Sequence, residues 1–342
     1  MKNKLAYLSF LNVVSCIAVI MLHTNGCFWY FSTKRYWLTA NIIESVMYFA
    51  VPVFFMISGA TVIDYRERYS TKVFLKKRIK KTFIPFIIWS LIGLIYMVFK
   101  NPVNYSNLEV TNIVSQIFNA QIIKIYWFFI PLFSIYLSIP ILSLIQKNER
   151  RKWYLYLAVV SFFTVYLLPF LCALFKVKYN PSITVAVGSG YILYVLVGYL
   201  ASHYEVPQKI RITIYIFSVL GLLSHLLGTY YLSIASNKII TTYKGYINVP
   251  CFLYSLGIFV FLKNFQMPIK LRKIFNRIIS LDKYTFGIYL IHFFIMDLGT
   301  TIFKINIYNI YYRIFAPFII FIICIAIINI IKKIPYIRII MP

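Results

Sequence analysis

The sequence predicts an all-α, polytopic membrane protein with about ten transmembrane helices and both termini cytoplasmic. Three observations carry that reading. Of 342 residues, 61% are hydrophobic and 13% charged, with a mean hydropathy of +0.79, well beyond a soluble globular domain. The apolar residues fall in runs of roughly 17 to 25, the length that spans a bilayer as helix. The basic residues fall in short blocks between those runs. The formal net charge of +27 therefore reads as a topology signal, and no nucleic-acid partner is expected.

Taken in order, the first run covers about 7–27. Lys2 and Lys4 precede it and Val13-Val14-Ser15-Cys16 resembles a lipoprotein cleavage box. The run continues to Leu22 and a second follows closely, so it reads as a retained helix rather than a removed signal. The second span, 41–63, leads into a loop holding Arg66, Arg68, Lys72, Lys76, Lys77, Arg78, Lys80 and Lys81. The third covers 83–99. Between it and the fourth, 126–146, the segment 107–120 places Leu108, Val110, Ile113, Val114 and Ile117 at helical spacing, as in an interfacial helix. The rest are 153–175, 183–203, 211–231, 246–263, 279–303 and 314–331. With the termini and the basic loop inside, 24 of the 35 Lys and Arg fall inside and 10 outside, Lys283 lying just within span nine. The inside count includes Arg338.

Stretches 64–82, 100–125 and 232–245 are too short for an independent core. The expectation is a single membrane domain over 1–342 with no appended soluble domain. Cys16, Cys27, Cys172, Cys251 and Cys324 are scattered without CxxC spacing, so neither a disulfide framework nor a metal site is expected. Trp29, Trp37, Trp127 and Trp153 sit near span ends, where amphipathic rings favour the interface.

Polar groups inside the spans limit where chemistry takes place. Asn12 and His23 are eleven residues apart, returning to within about 20° of one helix face and about 16 Å apart along it. Tyr289 and His292 lie one turn apart in span nine. Glu44 begins span two and Asp297 lies in the same outer half, so imidazoles and carboxylates meeting there suit general acid and base work on a hydroxyl. Each has a plainer reading: a histidine satisfied by a neighbouring span, or a carboxylate solvated at the interface. Asp282 and Lys283 read as solvated at the cytoplasmic edge, and His203 and His225 as structural. Arg78 and Lys81, one turn apart before Phe83-Ile84-Pro85-Phe86, suit the phosphates of an anionic cofactor, lipid headgroups, or the orientation signal alone.

These residues together resemble the acyltransferase type 3 family of bacterial membrane proteins. The resemblance rests on a polar residue, ten positions and then His23; on Val53-Phe54-Phe55-Met56-Ile57-Ser58-Gly59; on Arg78-x-x-Lys81 before Pro85; on Tyr126-Trp127-Phe128-Phe129 with Tyr136 and Pro140; on Gly198; and on Tyr284-Thr285-Phe286-Gly287-Ile288-Tyr289-Leu290-Ile291-His292. It covers essentially the whole chain. The family usually has Arg or Lys where this chain has Asn12.

The resemblance implies ten membrane helices in the cell membrane and an O-acyltransferase. Such an enzyme moves an acyl group, usually acetyl, from cytoplasmic acyl-CoA to a hydroxyl of an extracytoplasmic or cell-surface polysaccharide. It implies that His23 is the central catalytic residue and that Arg78 and Lys81 bind the donor's phosphates. His292, Tyr289 and Glu44 are candidates to orient His23, and Asn12 lies along the path of the donor's arm. The partners so implied are acyl-CoA, a glycan acceptor, the lipid bilayer and other glycan-assembly proteins, with no metal. Two other classes compete. An exporter or flippase for a lipid-linked sugar would show internal repeats or matched Gly and Pro interruptions, and the sequence shows neither. A structural subunit recruiting glycan enzymes would transfer no label from acetyl-CoA.

Overall fold

The computed structural model describes residues 2–102, 109–183, 185–188, 190–335 and 340–341. Asn107, Leu108 and Arg338 lie outside the described residues, as do the side chains of Lys2 and Lys4. Among the described residues the chain is helical throughout, with no strand. That is the outcome lipid dictates, because a helix satisfies its own backbone groups. Among the described residues, eight helices are long and apolar enough to cross a membrane: Ala6–Thr24, Arg35–Glu67, Thr71–Lys100, Lys124–Leu142, Arg150–Leu174, Gln208–Ser236, Ile269–Ile302 and Ile310–Lys333.

Spans six and eight of the sequence reading are shorter helices, Ile192–His203 (α10) and Val249–Asn264 (α13). The expected start of span six at 183 gives way to two short 3-10 turns, Pro181–Ile183 and Ala186–Gly188, ahead of Gly190 at φ +62. At that angle a glycine turns the chain without steric cost, and a continuous helix cannot form. α10 is nonetheless interior, burying Leu193, Tyr194, Val195, Leu196 and Tyr199. Its docking surface is Ala50–Val62 (α3). A Cβ on Gly198 would stand 2.2 Å from the Met56 carbonyl oxygen, and one on Gly59 1.9 Å from that of Val195. The two backbones touch, as small residues permit between membrane helices.

The first helix, Lys2–Thr24 (α1), is the axis of the bundle. It packs against Arg35–Met47 (α2), α3, α13, Arg272–Ile279 (α14), Thr285–Ile302 (α15) and Ile310–Lys333 (α16), and buries Leu11, Val13, Cys16, Val19 and Ile20. Span two is broken at Tyr48 and Phe49, four and three residues before Pro52. Pro52 has no N–H for the Tyr48 carbonyl, and that carbonyl accepts from Cys251 Sγ instead, at 3.9 Å. The segment read as interfacial is helical over Val110–Phe118. Three π-helical segments interrupt the long helices, at Ile79–Phe83, Phe162–Leu167 and Ser224–Gly228.

Candidate active site

α1 and α15 run in the same direction side by side and meet through polar groups at two depths. Toward the end that carries the amino terminus, Asn12 Nδ2 donates to Asp282 Oδ1 at 2.5 Å and to Thr285 Oγ1 at 2.9 Å. Ser9 Oγ donates to the other carboxylate oxygen at 2.6 Å. Asp282, read from sequence as merely solvated, is thus tied into α1. About three turns further along α1, His23 Nδ1 and His292 Nε2 are 2.8 Å apart, with their rings 9° from parallel.

Proton positions in the histidine pair follow from its second partner. His292 Nδ1 lies 3.0 Å from the Ile288 carbonyl oxygen, which can only accept. In an uncharged pair, His292 therefore donates from Nδ1 and accepts at Nε2, so His23 donates from Nδ1. The lone pair left over is on His23 Nε2. His292 is fully buried, whereas His23 keeps a part-exposed edge. The arrangement amounts to a base with an orienting partner and a carbonyl behind that partner.

Tyr289 lies one turn before His292, its ring 5.7 Å from the imidazole. Its hydroxyl donates to the Ile125 carbonyl, while Tyr126 OH donates to the Leu290 carbonyl at 2.6 Å. Two phenols thereby clip the 3-10 turn Lys124–Phe128 onto α15. The Tyr289 proton is committed to that clip, so the ring acts as a wall beside the histidines.

On the amino-terminal side of this wall lies a cavity of about 160 Å³, lined among others by Asn12, Ser58, Phe128, Tyr136, Thr285 and Tyr289. Tyr136 separates it from a more apolar cavity of about 530 Å³ that includes Arg78 and Phe83. The Arg78 guanidinium sits 5.2 Å from the Tyr136 ring centre and 5.5 Å from that of Phe74. Its Nε is buried with no hydrogen-bond partner among the described residues. Lys81 is exposed on the π-helical segment Ile79–Phe83, and neither cavity includes it.

Glu44 goes elsewhere than to the imidazoles. It is buried, and its Oε1 pairs with Lys244 Nζ at 2.7 Å. Asn25, two residues past His23, reaches its other oxygen at 3.5 Å, and buried Arg313 donates to Asn25 Oδ1 at 3.2 Å. Asp297 likewise bonds Lys100 and Tyr96 rather than a histidine. Lys244 stands 3.6 Å from the Tyr48 ring centre. Tyr48 stacks on Tyr246 at 4.2 Å, and Tyr246 on Trp127 at 5.3 Å. The strap 237–248 is thereby drawn inward over the His23 end of α1. Burial pulls the Lys244 ammonium below its usual pKa, against the opposing pull of Glu44.

Sequence reasoning missed Lys244 and Arg313. Both belong to the ten basic residues that the sequence places in outside loops, and only the partners, remote in sequence, mark them as interior. His225, also fully buried, lies edge-on to Tyr48 at 4.9 Å. No cluster of three or more His, Cys, Asp or Glu with metal-binding geometry occurs among the described residues.

No curated protein and no solved structure matches the chain. The acyltransferase domain of type 3 matches residues 5–331, which hold both the α1 and the α15 halves of the histidine pair, and the chain belongs to this acyltransferase family.

Proposed function

We propose that the protein is an O-acyltransferase of the cell membrane. It takes an acyl group, acetyl in the simplest case, from acyl-CoA on the cytoplasmic side and delivers it to a hydroxyl of an extracytoplasmic polysaccharide. The whole chain acts as one membrane domain. The observation that carries the reading is the His23 to His292 contact of 2.8 Å, which leaves a lone pair on the part-exposed ring.

In this reading the donor's phosphates rest at the Arg78 guanidinium, whose Nε has no hydrogen-bond partner among the described residues, with Lys81 outside it in the aqueous layer. The thioester arm occupies the cavity between Asn12 and Tyr289. His23 Nε2 takes the proton of the acceptor hydroxyl as its oxygen attacks the thioester carbon. The C–S bond breaks, and the departing thiolate takes that proton from His23. The transient charge on His23 is shared with His292 through their hydrogen bond, and behind His292 lies the Ile288 carbonyl. Glu44 acts at a distance, holding the strap 237–248 through Lys244.

Membranes containing the protein, incubated with labelled acetyl-CoA, are expected to label cell-surface glycan. His23→Ala is expected to abolish the labelling while the amount of protein in the membrane stays the same. Glycan labelling that survives His23→Ala would remove the role given to that ring. Wild-type membranes that label nothing would favour an exporter or a structural subunit.

A further inference from the structure

The cavity beside Asn12 has an unusual balance of hydrogen-bonding groups. Its hydroxyls spend their protons on backbone carbonyls: Ser58 on Phe54 at 3.0 Å, Thr285 on Asp282 at 2.8 Å, and Tyr289 on Ile125. Both amide hydrogens of Asn12 are spent too, on the Asp282 carboxylate and on Thr285 Oγ1. These bonds also fix which way the amide faces. A carboxylate cannot donate, so the NH2 group must point to Asp282 and the carbonyl away from it.

Asn12 Oδ1 accepts nothing from any described residue, although Asn12 lines the cavity. Tyr136, at the Arg78 end, is the lining hydroxyl whose proton is uncommitted among the described residues. The inner part of the cavity thus offers acceptors without donors, and the Asp282 carboxylate behind Asn12 disfavours a second anion. Such a surface suits a slim, uncharged segment carrying N–H donors. The arm of coenzyme A has that character, with two secondary amides between its phosphates and its sulfur.

Resting on the acyl-CoA reading above, we propose that Asn12 Oδ1 accepts an amide N–H from the pantetheine arm of the donor. Asn12 is then a positioning residue, setting how far the thioester advances toward His23. It selects amide-bearing thioester carriers over donors without amides. A lysine or arginine here would offer donors in place of the acceptor, so this chain holds its donor differently at this point.

The test uses the protein in lipid nanodiscs and isothermal titration with three ligands. These are coenzyme A and analogues in which one amide N–H at a time is replaced by an ester oxygen. One analogue is expected to bind about 5- to 10-fold more weakly than coenzyme A, the scale of one neutral hydrogen bond. Asn12→Leu is expected to remove that difference. Because the single variant leaves Asp282 short of a donor, Asn12→Leu with Asp282→Leu repeats the measurement without a stranded carboxylate. Equal binding of coenzyme A and both analogues by the wild type would overturn the inference alone, as would a preference that persists in both variants. Failure of the wild type to bind coenzyme A at all would overturn the donor reading along with it.

Discussion

His23 owes its direction to His292, and that dependence separates positioning from substrate binding. Neither histidine lines the two cavities described above, but His292 is fully buried whereas His23 keeps a part-exposed edge. In His292→Phe the His23 Nδ1–H loses its acceptor and the ring is free to turn. Steady-state kinetics are expected to show kcat reduced about 100-fold or more, with KM for the donor little changed. His292→Gln, whose side-chain carbonyl can accept the same hydrogen, is expected to recover part of the rate. A rise in KM at unchanged kcat would assign His292 to binding instead. At this scale the sequence was informative where one helix carried the whole signal. The Asn12 to His23 stripe and the Tyr289 to His292 turn follow from the 3.6-residue period. The pairing of the two helices did not, because no local pattern states that residue 23 meets residue 292.

Among the elements, the strap 237–248 departs most from its sequence reading. As a polar stretch between spans it reads as an ordinary outer loop, yet Lys244 is 5% exposed and bonded to Glu44 across 200 residues of chain. Removing one member of such a pair leaves the other charge buried alone, which typically costs about 3 to 5 kcal/mol. Lys244→Met is therefore expected to lower the thermal midpoint in detergent markedly. Lys244→Met with Glu44→Leu is expected to recover most of the loss, because the stranded charge is then gone. If the single variant melted like the wild type, Lys244 would be no anchor. The contact of α3 with α10 was not read from the sequence either, where Gly59 and Gly198 figured only among the residues carrying the family resemblance. Nor were the π-helical segments, because an extra residue in a turn leaves no compositional trace in an already apolar run.

Over the whole molecule, length and depth account for each other. α10 has 12 residues and α13 has 16, about 18 and 24 Å of helix against a hydrocarbon core of about 30 Å. Helices this short cross a bilayer only if irregular backbone at their ends is sheltered by protein, and these two are interior. We propose that these two cross along with the eight long helices, which would make ten crossings with the termini on one side, the arrangement that the bias of basic residues favours. That arrangement makes a definite statement about two exposed lysines. In that arrangement Lys147, beside Glu67 at 2.6 Å, would face the cytoplasm, and Lys304, after α15, the opposite side. Four of the five native cysteines are buried, so Cys172→Ser removes the remaining accessible thiol. In that background, Lys304→Cys is expected to react with a membrane-impermeant maleimide on intact cells. Lys147→Cys is expected to react only after the membrane is opened. If either α10 or α13 failed to cross, the chain would make an odd number of passes and the two positions would label from the same side. α1 and α15 would then run in opposite directions across the membrane, contrary to the contacts of Asn12 with Thr285 and of His23 with His292, and the proposed route through their seam would be lost.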